Sequence, residues 1–208
     1  MKISSYDPYH IGIKLTPALS FQIFREKLLR SMNDAGMNVV INDLIPNVPQ
    51  EVVFREENAR IEFNYASIAL NTIGNNPKDA TELFKKLVNI LTTMGYDVNG
   101  LAVLFEILSN INVTVDTDPN PLITNSVKCN LDEWREINNN ISVNGLKIEA
   151  TDEVYGKETL RILIGPNTIR PNTLLLNINY RSVDVEKIVN FGNSLDKRVM
   201  SIVTSLGG

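Results

Sequence analysis

The feature that most constrains this chain is a pattern met twice. Asn58 to Asp97 reads as strand, turn, strand and then a long amphipathic helix ending at a glycine, and Thr159 to Gly207 reads the same way. The anchors are Ile68-Ala69-Leu70-Asn71 and Leu174-Leu175-Leu176-Asn177, each a few residues ahead of its helix. A repeat bounds architecture well and activity poorly.

Periodicity fills in the rest. Ile11, Ile13 and Leu15 alternate with His10, Gly12 and Lys14, the period of a half-buried strand. Thr16-Pro17 then offers a cap and a first-turn proline to a helix striped by Phe21, Phe24, Leu28 and Met32 and stopped at Gly36. Val39 to Leu44, Val52 to Phe54, Arg60 to Tyr65 and Ser67 to Ile73 read as four strands, with a turn at Pro46 to Pro49. Asp79 and Glu82 have capping-box spacing ahead of a helix carrying Phe84, Leu87, Leu91 and Met94, closed at Gly95.

The second half is a looser copy. Leu101 to Val115 reads as one long strand and Asp116 to Asn125, with Pro119 and Pro121, as a loop. Asn130 and Glu133 suit the cap of a short helix bearing Trp134, and Asn144-Gly145 sits at a tight hairpin. Strands at Leu160 to Ile164 and Thr173 to Tyr180 precede a last helix striped by Ile188, Phe191, Leu195, Val199 and Ile202, with a kink near Gly192. The expected fold is α+β: two similar strand-helix-four-strand-helix halves, residues 1–97 and 98–208, sharing one curved antiparallel sheet backed by helices.

That order of elements, closest over Ile68 to Asp97, resembles the saddle of the TATA-box-binding-protein family. The resemblance implies a sheet with one open face, which in that family is basic, binds DNA and carries paired phenylalanines that wedge between base steps. The residues of the polar strand faces here are Arg60, Glu62, Asn64, Arg161, Asn177 and Asn179. Their mixed charge does not make DNA the expected partner.

Composition points the same way. Against 24 acidic residues stand 20 basic ones, a net charge of -4 that supplies no general field for a polyanion. Met1 to His10 has no apolar signal core, and the apolar run Leu101 to Phe105 is far short of the ~20 residues of a membrane span, so a cytoplasmic location is expected. The 26 asparagines read as a coding bias. Cys129 and His10, each the single residue of its kind, exclude an internal disulfide and supply no zinc shell. No glycine-rich phosphate loop is present, and the acidic pairs Glu56-Glu57 and Asp152-Glu153 read as solvated turns.

No catalytic residue, metal or cofactor is therefore expected. Arg60, Asn64, Arg161, Asn177 and Asn179 are the candidate binding residues, because guanidinium and amide groups on an open sheet recognise other polar surfaces. The expected partner is another protein or a second copy of the chain; nucleic acid is the weaker expectation and a membrane is not expected. The alternative is a small enzyme or ligand-binding domain whose pocket uses His10 or Cys129.

Overall fold

The computed structural model describes residues 1–15, 21–42, 50–54, 59–64, 67–72, 76–127, 143, 145–151 and 158–207. The calls made on Thr16-Pro17, the Pro46 to Pro49 turn, Glu56-Glu57, Cys129, the helix at Asn130, Asn144 and Asp152-Glu153 lie outside these residues.

Alternating apolar residues give strands β1 Lys2–Leu15, β2 Val39–Asn42, β3 Gln50–Phe54, β4 Ala59–Asn64, β5 Ser67–Thr72, β6 Ala102–Thr114, β7 Leu146–Thr151, β8 Glu158–Pro166 and β9 Thr173–Ser182. The 3.6-residue stripes give α1 Phe21–Asp34, α2 Pro77–Thr93, α4 Pro119–Ser126, α5 Val185–Asn193 and α6 Leu195–Leu206, with one further turn, α3, at Val98–Leu101. The strands form a single antiparallel sheet in the order β2-β3-β4-β5-β1-β6-β9-β8-β7. Its centre is the β1–β6 pair, where Ile11 faces Ile107 and Ile13 faces Phe105. β5 flanks β1 on one side and β9 flanks β6 on the other, so Leu70-Asn71 and Leu176-Asn177 occupy matching places about that seam.

One face of the sheet carries the core. Ile11, Ile61, Leu70, Phe105, Ile107, Ile111 and Leu176 are buried there beneath Phe84, Leu87 and Leu91 of α2, Ile188 of α5 and Leu195, Val199 and Val203 of α6. Each such side chain removed from water stabilises the fold by about 1.5–3 kcal/mol before chain entropy is counted. The layers are stitched by polar contacts as well: Tyr9 Oη and Thr81 Oγ1 lie 3.2 Å apart, and Tyr6 donates its hydroxyl to Asp196. The helices α2 and α5 meet at Gly192, where a Cβ would stand 2.4 Å from Thr81 Oγ1 and 2.8 Å from Tyr9 Oη. Among the described residues no helix is long and apolar enough to cross a membrane.

Four local expectations are corrected. Residues 119–126 are helix, because Asp118 caps the Asn120 N–H and both prolines fall in the first turn, where a missing N–H leaves no ladder bond unmade. The cap of α2 is Asn76, accepting from Lys78 N and followed by Pro77, three residues ahead of Asp79. Leu101 closes the short turn α3, and β6 begins at Ala102. The last helix is broken outright, at Ser194, whose hydroxyl donates to the Asn190 and Phe191 carbonyls.

Candidate functional site

Strand alternation that sends Ile11 and Ile13 into the core sends His10, Gly12 and Lys14 to the opposite face. Register carries that face across the sheet. Arg60, Asn71, His10, Leu108, Asn179, Arg161 and Glu149 are successive cross-strand neighbours from β4 to β7. Three of the five residues singled out in the sequence, Arg60, Asn179 and Arg161, thus share one row. Asn177 lies two residues along β9 from Asn179 and donates to Asn110 Oδ1 at 2.7 Å. Asn64 is in register with Ser67, and only its backbone is described.

The centre of the face is a charge cluster that sequence reasoning missed. Glu106 stands opposite Gly12 and is buried, although it projects from the side of the sheet away from the helices. Its carboxylate is met by Lys14 Nζ at 3.4 Å, Arg181 Nε at 3.3 Å and the His10 ring at 3.7 Å. The other ring nitrogen, Nδ1, donates to Asn71 Oδ1 at 2.8 Å. Gly12 leaves room for this: a Cβ there would come within 3.1 Å of His10 Nε2 and 3.0 Å of the Ile68 carbonyl, crowding the ring where it leans over β1 towards Glu106. Burial alone would raise the Glu106 pKa, but His10, Lys14 and Arg181 outweigh it and hold the carboxyl below its ordinary value. The signal in the sequence was a single carboxylate inside the apolar run of β6, a position that charge occupies only with partners.

Three further ion pairs flank the cluster, one at one end and two at the other. Arg60 Nε reaches Glu62 at 3.0 Å on β4. At the other end Glu149 of β7 accepts from Arg161 at 2.8 Å and from Lys147 at 2.6 Å. Beyond it Leu163, Gly165 and Leu175 floor a shallow depression of about 420 Å³ rimmed by Lys147 and Asn177. A depression of about 750 Å³ lies between the start of α4 and the β8–β9 turn, lined by Asp118, Asn120, Asn167 and Arg170; neither is lined by His10.

No family model and no curated protein matches the sequence. Among solved structures the chain is similar to Methanococcus jannaschii TBP, at 13% identity and a TM-score of 0.38, covering 99% of this chain and 97% of that one. No residue role transfers at that level of similarity. The chemistry of the face rests on its own geometry. Ion pairs and paired amides held on the sheet present fixed donors and acceptors. His10 is engaged by Asn71 and Glu106, and Cys129 lies outside the described residues.

Proposed function

We propose that the protein acts by binding another protein, with the open sheet face as its contact surface. The observation that supports this most is the row running from Arg60 to Glu149, along which His10 is held by Asn71, Arg161 by Glu149, and Arg60 by Glu62 beside the row. A partner meeting such a surface loses little further side-chain entropy on it, at about 0.5–1.5 kcal/mol saved per side chain already held. The matched order of strands about β1 and β6 favours a reading in which residues 1–97 and 98–208 are two copies of one half, each contributing part of the face.

Site-specific photocrosslinking tests the proposal. A crosslinker at Asn179, on the face, is expected to give discrete adducts with another polypeptide in the native cell. One at Lys86, exposed on α2 on the helix side, is expected to give none. Equal yields from both positions, or adducts from Lys86 alone, would remove the sheet face as the contact surface.

A further inference from the structure

The sheet ends at β7. Among the described residues this strand is paired on one side only, to β8. Its ladder runs from Leu146↔Ile164 to Thr151↔Thr159 without a register slip, so no bulge twists the edge away, and no proline interrupts its outer N–H and C=O groups. Val143, just ahead of it, is not in a strand and packs against the core. The other edge, β2, has four residues, Val39–Asn42, none of them charged.

Alternation along β7 is complete on both faces. Leu146, Ile148 and Ala150, in register with Ile164, Ile162 and Leu160, take the helix side of the sheet. Lys147 and Glu149, in register with Leu163 and Arg161, take the open side. Ile162 is 4% exposed, whereas Ile148 beside it is 41% exposed. A single exposed isoleucine carries little by itself. What sets β7 apart is that its sequence is complementary to itself. Antiparallel to a second β7 and centred on Ile148, Lys147 falls opposite Glu149, Glu149 opposite Lys147, Leu146 opposite Ala150, and Ile148 opposite its own counterpart. Directly opposed residues share a face, so one side of the joint is wholly apolar and on the other each charge meets its opposite.

Other registers fail. A slip of two residues sets Lys147 on Lys147 or Glu149 on Glu149, and a slip of one turns charged side chains to the apolar side. Parallel pairing in direct register sets like charge on like.

We infer that a second copy of this chain docks along β7, antiparallel and centred on Ile148, joining two nine-stranded sheets across a two-fold axis. Edge pairing leaves the open face of each copy uncovered, so the inference goes beyond the sheet-face proposal and does not depend on it.

Sedimentation equilibrium with charge-reversed chains tests the inference. The unaltered chain is expected to pass from monomer to dimer as concentration rises and to stop at the dimer. Lys147→Glu or Glu149→Lys alone is expected to weaken the dimer roughly tenfold or more, because each sets like charges opposite one another. An equimolar mixture of the two variants is expected to restore it, since every glutamate then faces a lysine. In a Cys129→Ser background, Ile148→Cys is expected to form an intermolecular disulfide on mild oxidation, because opposed residues of antiparallel strands have Cα atoms about 4.5–5.5 Å apart, within disulfide reach. Leu163→Cys, equally exposed on β8, is expected to form none. The cysteine readout stands should a charge reversal disturb the fold. A chain that stays monomeric, a dimer indifferent to both reversals, a mixture of folded variants that fails to re-form it, or equal crosslinking from the two cysteines overturns the inference.

Discussion

Glu106 and Gly192 are the two residues on which most of the local chemistry turns. The Glu106 carboxyl is held below the ordinary glutamate value of 4.5 in the folded chain, so on acidification the unfolded chain takes up its proton first. Its stabilising contribution is complete above that ordinary value and is lost as pH falls through the lowered one. Glu106→Gln is expected to flatten the fall of Tm with pH below about pH 5, measured beside the unaltered chain. At neutral pH it should cost about 1–2 kcal/mol, less than a fully buried pair, because Lys14 and Arg181 remain half in water. Gly192→Ala places a methyl against Thr81 Oγ1 and Tyr9 Oη, both on rigid elements, and is expected to lower stability by about 1–3 kcal/mol in urea titration. Thr81→Ala in the same chain should recover part of that loss. Arg60, Arg161, Asn177 and Asn179 were legible as members of a polar face because strand period fixes which side a residue takes. That Lys14, Glu106 and Arg181 meet was not, because period says nothing about which strands are neighbours.

At the scale of elements, hydrophobic period and glycine stops carried most of the assignment. Gly36 at φ 75° and Gly95 at φ 94° close α1 and α2 in the left-handed region that glycine adopts without strain. The first part of β1 was not legible: its register slips between Ile3 and Ser5 and again between Tyr6 and Tyr9, and each slip breaks the alternation on which a strand is recognised. The helix α4 was hidden for the opposite reason, since Pro119 and Pro121 suggest a breaker until Asp118 is seen as the cap. Asp118→Ala is expected to destabilise the chain by ~1 kcal/mol and to lower helical circular dichroism slightly. A control at Asp116, which accepts from the amino group of Met1 in the turn ahead of the cap, should leave helical content unchanged.

For the whole molecule the β1–β6 seam is decisive, since it ties residues 1–15 to residues 102–114 and is flanked by paired strands on both sides. Native-state hydrogen exchange is expected to show its slowest amides at Ile11, Ile13 and Ile107, with β2 and β7 exchanging through smaller openings. Comparable protection in β7 and β1 would contradict this. The α+β class and the single antiparallel sheet were legible from the order of patterned segments. That β1 sits at the centre was not, because a strand's place in a sheet depends on contacts far away in sequence.

That central place has a consequence during synthesis. β1 leaves the ribosome roughly a hundred residues ahead of β6, which at ~5–20 residues per second is a wait of about 5–20 s. Once β5 has followed, it can pair with one side of β1 while the other stays exposed as a sheet edge. Lys14, which later meets Glu106, stands on that strand and discourages another nascent chain from pairing there. The same lysine thus serves first as a guard against aggregation and only afterwards as part of the finished surface.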